Sequence, residues 1–220
     1  MSLARTIDHT LLKPDASGLD IIRLCQEAQT YGFFSVCVNS SRVSLASEVL
    51  AGSGVKVAAV TGFPLGAMDS LAKAFETERA VACGADEIDT VLAVGFLREN
   101  RLDVVLQDLE LVVRAAGQSP VKVILETCLL SDDQKRTACA MALDAGAAFV
   151  KTSTGFSTGG ATVDDVRILA AAVGGRCQVK ASGGIRDAAT ARAMLEAGAS
   201  RLGTSNGIAI VQGASAAAEY

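Results

Sequence analysis

Short apolar, β-branched runs alternate along this chain with longer stretches in which apolar residues return every third or fourth position, and the alternation never changes character. Eight runs read as strands: Ile7 to Thr10, Ser35 to Asn39, Lys56 to Thr61, Glu87 to Leu92, Val121 to Thr127, Ala148 to Ser153, Gln178 to Ser182 and Ser200 to Ser205. Between them, Ile21, Leu24, Cys25 and Ala28 fall at i, i+3, i+4, i+7, as do Ala191, Met194, Leu195 and Gly198, the spacing of helices that lay one stripe on a sheet. Asp69, Ser131, Thr162 and Asp187 stand where N-caps belong, and Gly32, Gly84, Gly146 and Gly198 where helices should turn into the next strand.

Strand followed by helix, repeated, implies a parallel sheet, because parallel neighbours need a crossover. Eight such units in one domain, residues 1 to 220, predict an α/β fold of the closed (β/α)8 TIM barrel type, near the lower size limit of that architecture. The alternative, a doubly wound open sheet, would carry a glycine-rich dinucleotide turn after its first strand, and no GxGxxG occurs here. After Ser205 only one short helix, NGIAIVQG, precedes an alanine-rich tail ending in Tyr220; the tail, from about residue 213, is expected to be mobile.

Composition narrows the partner. Half of the 220 residues are apolar, enough for a substantial core, and the net charge is −4. The basic residues are scattered singly, which argues against nucleic-acid and polybasic membrane surfaces and for a small molecule. Six cysteines without a CxxC pair read as buried hydrophobes in a reducing compartment, and the N-terminus MSLARTIDHTLLKP has no apolar signal region. A cytoplasmic protein with no metal site is expected.

In a barrel of this kind chemistry belongs at the C-terminal ends of the strands. There the chain places Asp8 or His9, Cys37 and Asn39, Thr61, Asp89, Glu126, Lys151 and Ser153, Lys180 and Ser182, and Thr204 and Ser205. Two segments stand out: FVKTSTGFSTGG, Phe149 to Gly160, and QVKASGG, Gln178 to Gly184, each with a lysine inside an apolar run. Residues two apart share a strand face, so an inward Lys151 takes Phe149 and Ser153 inward, and Lys180 takes Gln178 and Ser182. The two lysines are then neighbours across the lumen.

A second ammonium about 5 Å away, at an effective dielectric of about 20, costs about 3 kcal/mol, enough with desolvation to bring one lysine towards a free amine at neutral pH. A free amine in a barrel attacks carbonyls to form a carbinolamine and then a Schiff base. Asp89, from the strand DEIDTVL, points into the same lumen and can serve the proton transfers; the bland alternative is a buried ion pair without catalytic duty. Glu87 and Lys122, nearer the strand starts, read as a salt bridge on the barrel floor. His9 reads as structural, and Cys37 lacks a basic partner to activate it. Gly155 after strand six, Gly183 and Gly184 after strand seven, and Gly203 to Gly207 after strand eight supply bare backbone N–H groups where this fold commonly binds phosphate.

The chain also resembles the deoxyribose-phosphate aldolases. The matching segments are IDHTLLKP at Ile7 to Pro14, VCVN at Val36 to Asn39, GFPLGA at Gly62 to Ala67, GADEID at Gly84 to Asp89, KVILET at Lys122 to Thr127, FVKTSTGF at Phe149 to Phe156, KASGGIR at Lys180 to Arg186 and RLGTSNG at Arg201 to Gly207. The resemblance implies a class I aldolase that reversibly splits 2-deoxy-D-ribose 5-phosphate into D-glyceraldehyde 3-phosphate and acetaldehyde, with no cofactor and with phosphosugar and aldehydes as its small-molecule partners. It also implies Lys151 as the Schiff-base lysine, Lys180 as the group that lowers its pKa, Asp89 in the proton relay, and Gly155, Gly183, Gly184, Gly203 and Ser205 around the phosphate. Cys37, Thr152, Asn206 and Tyr220 are further candidates; Asn206 stands where the family usually has a second serine, and family members often end in a tyrosine able to reach the site. A homo-oligomer, dimer or tetramer, is expected. The competing expectations are a transaldolase-type Schiff-base enzyme and a non-catalytic phosphosugar-binding barrel.

Overall fold

In the computed structural model, which describes residues 2–213, the alternation resolves into eight parallel strands. They are β1 (Ile7–Leu11), β2 (Ser35–Asn39), β3 (Lys56–Thr61), β4 (Glu87–Val91), β5 (Val121–Ile124), β6 (Phe149–Lys151), β7 (Gln178–Ser182) and β8 (Arg201–Thr204). Each pairs with the next and β8 returns to β1, closing the barrel in chain order. The helices between and after them are α1 (Gly18–Tyr31), α2 (Val43–Leu50), α3 (Ser70–Ala82), α4 (Val94–Arg98), α5 (Leu102–Ala116), α6 (Asp132–Asp144), α7 (Val163–Val173), α8 (Ala188–Glu196) and α9 (Gly207–Gln212).

All four expected N-caps accept backbone N–H groups: Asp69 from Leu71 and Ala72, Ser131 from Gln134, Thr162 from Asp165 and Asp187 from Thr190. Each satisfies donors that the first helical turn would otherwise orphan, worth about 1 kcal/mol apiece. Gly32 closes α1 in the left-handed region, φ 66°, where a side chain would be strained.

Strand parity divides the core. Val36, Val38, Ile88, Val123, Val150, Ala181 and Leu202 join the helices in one continuous apolar layer outside the barrel. The alternate residues point inward and are unusually polar. Two strands end two or more residues sooner than the sequence pattern suggests. The β5 strand stops at Ile124 because Glu126 takes a left-handed conformation, φ 55° and ψ 64°, which breaks the ladder. The β6 strand stops at Lys151, although Thr152 N still donates to Lys180 O at 3.1 Å.

A second buried charge pair lies outside the barrel. Lys73 on α3 donates from Nζ to Asp108 Oδ2 on α5 at 2.7 Å and to the Val91 carbonyl at 2.9 Å, with both side chains sealed from solvent. Removing one partner leaves the other charge uncompensated, so Lys73→Met is expected to cost about 3 to 5 kcal/mol in urea unfolding. The double variant Lys73→Met/Asp108→Leu should recover most of that loss, since no unpaired charge then remains.

Candidate active site

Register brings the chemistry together. The Cα atoms of Lys151 and Lys180 are direct partners across β6 and β7, and those of Asp89 and Lys122 across β4 and β5. With all four side chains inward, Asp89 becomes the hub. Its Oδ2 accepts from Lys151 Nζ and from Lys180 Nζ, each at 2.8 Å, while Oδ1 accepts from Lys122 Nζ at 2.8 Å. The two lysines expected to be neighbours therefore share one carboxylate oxygen.

The network runs deeper than the sequence reading had it. Asp8 on β1 lies 2.5 Å from Lys180 Nζ and 2.9 Å from Arg201 Nη1, and Glu87 lies 2.7 Å from Lys122 Nζ and 3.2 Å from Arg201 Nη1. The expected floor bridge between Glu87 and Lys122 is present, and Lys122 joins it to Asp89. Arg201 rests its guanidinium on Phe34, 3.4 Å from the ring centroid. The position left open between Asp8 and His9 resolves to Asp8. His9 points outward instead, its Nε2 2.7 Å from Glu27 Oε2 on α1. Burial lowers its pKa despite that carboxylate, and it takes no part in the lumen.

The electrostatics assign charges. Burial raises the pKa of Asp8 and Asp89, but the surrounding cations outweigh it and hold both below the ordinary carboxylate range. Burial likewise works against the Lys180 and Lys122 ammoniums, and the carboxylates overcome it: Asp8 and Asp89 for Lys180, Asp89 first for Lys122. Lys180 is thus a fixed cation beside Lys151.

Lys151, only 3 % exposed, forms the inner wall of a cavity of about 300 Å³. Gly155, Gly183, Gly184, Gly203, Ser205 and Asn206 line the same cavity, so the expected phosphate loops and the lysine face one space. Two backbones touch at its rim: a Cβ on Gly160 would sit 2.3 Å from the Gly183 carbonyl oxygen, and Ala161 N donates to that oxygen at 2.9 Å. Gly203 has a further duty, since a Cβ there would meet Lys180 Cε at 3.1 Å. Its bareness makes room for the lysine.

The loop after Lys151 is held from β5. Glu126 accepts from Thr154 N at 3.2 Å through Oε1 and from Thr154 Oγ1 through Oε2, and Thr154 Oγ1 in turn accepts from Phe156 N at 3.0 Å. Two further candidates from the sequence, Cys37 and Thr152, do not join the cavity. Cys37 is fully buried against Leu12, Ala58 and Val60, and burial raises its pKa, so it is packing rather than a nucleophile. Thr152 faces away from the lumen and staples β6 to β7, donating to Ser182 O and accepting from Ser182 N, both at 3.1 Å. Tyr220 and the tail lie outside the described residues.

The residues missed were Arg201, Thr10, Lys13 and Arg186; Thr10, Lys13 and Arg186 line the cavity beside Lys151. Arg201 was findable, because parity from Gly203 puts it inward. Among the described residues no three His, Cys, Asp or Glu side chains converge as a metal site.

A sequence model of the DeoC/LacD family aldolases matches residues 3–214. The chain is 57% identical over 220 residues to a deoxyribose-phosphate aldolase of Bdellovibrio bacteriovorus, covering all of both chains. Among solved structures, QR15, an aldolase, superposes with a TM-score of 0.92 at 40% identity, over 96% of this chain and 94% of that one. A tetrameric deoxyribose phosphate aldolase from Aeropyrum pernix superposes with a TM-score of 0.90 at 34% identity, over 96% and 89%.

Proposed function

The chain belongs to the DeoC/LacD family of aldolases, and on that premise we propose that it reversibly cleaves 2-deoxy-D-ribose 5-phosphate to D-glyceraldehyde 3-phosphate and acetaldehyde through a Schiff base on Lys151. One observation carries the assignment of roles. Lys151 and Lys180 meet on a single oxygen of Asp89, and of the two only Lys151 lines the cavity.

As a neutral amine, Lys151 attacks the aldehyde carbon of the ring-opened sugar. Proton transfer gives a carbinolamine, and loss of water gives the iminium. With the iminium as electron sink, removal of the proton from the C3 hydroxyl lets the C2–C3 bond break. Glyceraldehyde phosphate departs, and C2 keeps the electron pair as an enamine. Protonation at C2 and addition of water release acetaldehyde and restore the amine. Asp89, 2.8 Å from both lysine nitrogens, can pass protons to and from Lys151 during these steps while Lys180 stays a cation beside them. Gly155, Gly183, Gly184, Gly203 and Ser205, with Asn206 beside them, hold the phosphate, and that remote grip converts binding energy into positioning.

The protein works in the cytoplasm and as a homo-oligomer in this reading. Its cysteines, all free, suit the first proposal, and the exposed Leu65, Met68, Leu71 and Phe75 support the second. No helix among the described residues is long and apolar enough to cross a membrane.

Borohydride reduction in the presence of acetaldehyde tests the chemistry. A stable two-carbon adduct on the peptide carrying Lys151 is expected, together with release of acetaldehyde from the deoxyribose phosphate. An adduct confined to another lysine would overturn the mechanism; phosphosugar binding with no adduct at all would favour a binding barrel.

A further inference from the structure

We propose that Arg201 and Glu87, on the floor beneath the site, set the pH at which Lys151 can be captured by an aldehyde, by fixing the charge balance of one continuous ion-pair network. The inference rests on the Schiff-base reading above. Neither residue lines the cavity, so both act as positioning residues through the groups between them and Lys151.

The network holds four cations, Lys122, Lys151, Lys180 and Arg201, against three carboxylates, Asp8, Glu87 and Asp89. Three of the cations are shared between two carboxylates each: Lys180 between Asp8 and Asp89, Lys122 between Glu87 and Asp89, Arg201 between Asp8 and Glu87. Among the described residues Lys151 has only Asp89 Oδ2, an oxygen it shares with Lys180. Arithmetic therefore leaves one positive charge in excess, and the least supported ammonium is the one at the cavity.

The remaining groups around Lys151 do not alter the count. The β2 strand offers Cys37, kept a neutral thiol by burial, and β3 offers Ala58 and Val60. Glu126 at the end of β5 is engaged by Thr154, and His9 turns outward to Glu27. Lys13 and Arg186 border the cavity above, outside the ion-paired network.

The excess exists because Arg201 is there. Without its charge three lysines face three carboxylates, every ammonium has a counterion, and Lys151 yields its proton only at higher pH. Without the charge of Glu87 four cations face two carboxylates, and the proton leaves at lower pH. The signs are opposite, and a merely structural role for these residues would not produce that pattern.

The experiment measures, against pH, the initial rate of cyanoborohydride-trapped acetaldehyde adduct on the Lys151 peptide, with all proteins in the same buffers. Arg201→Met should raise the midpoint by about one pH unit, the size expected for one buried charge a carboxylate away at an effective dielectric of about 20. Glu87→Gln should lower it by a similar amount, the double variant should return close to the original midpoint, and Arg201→Lys should leave it in place. Should Arg201→Met not fold, Glu87→Gln and Arg201→Lys carry the test. Midpoints that stay put, or move in one direction for both charge removals, overturn the inference while the adduct itself upholds the Schiff base. Absence of a Lys151 adduct in the unaltered protein overturns the reading beneath it, and this inference with it.

Discussion

Lys151→Ala is expected to reduce kcat for cleavage of deoxyribose phosphate by about 10⁵-fold, the scale of loss when a covalent nucleophile is removed from a site that retains its binding groups. The same change should leave the fold intact. Asp89 keeps Lys122 and Lys180, and the network falls from four cations against three carboxylates to an even three against three. No carboxylate is abandoned in the interior, so the large penalty for breaking a buried pair does not arise. Urea unfolding within about 1 kcal/mol of the parent protein, or above it, would accompany the loss of turnover. Activity reduced by less than tenfold in a homogeneous sample would sink the covalent assignment.

Asp89→Asn gives the second large effect, and it differs in kind. Two lysines lose their common proton acceptor, and turnover should fall by about 10³-fold, within the usual range for general acid–base groups. Stability should also fall by about 3 to 5 kcal/mol, because four cations then crowd around two carboxylates. Adding Lys151→Met to Asp89→Asn removes one of the stranded charges, and unfolding should recover in part while activity stays lost. If the double variant were no more stable than Asp89→Asn alone, the shared-oxygen geometry would not be the source of the cost.

Much of this was legible because a barrel imposes period-two alternation and a fixed order. The eight runs, the four caps and the inward parity of Lys151, Lys180 and Asp89 all follow from local pattern, and the structure reproduces them. What pattern could not supply was distance between elements far apart in the chain. Asp8 and Arg201 are separated by nearly the whole sequence and meet only because β8 closes on β1. Thr152, offered as a further candidate, is turned away to Ser182 by the same alternation. The early end of β5 was hidden for another reason. Glu126 sits in a left-handed conformation that its side chain rarely adopts, held there against local preference by its tertiary partner Thr154.

The vertical layering of the cavity imposes an order of traffic. Lys151 lies at the bottom, over a lumen filled by Lys122, Glu87, Arg201 and Phe149, while Gly155, Gly184 and Ser205 stand at the exposed rim. With the barrel plugged below, the rim is the way in and out. On the proposed assignment the phosphorylated three-carbon fragment would sit in the upper storey and have to vacate it before the two-carbon fragment, tethered beneath, could leave. In the synthetic direction acetaldehyde must be loaded first, and a phosphorylated acceptor arriving early blocks its own partner. Steady-state patterns should therefore be sequentially ordered, with inhibition by excess glyceraldehyde phosphate relieved by acetaldehyde.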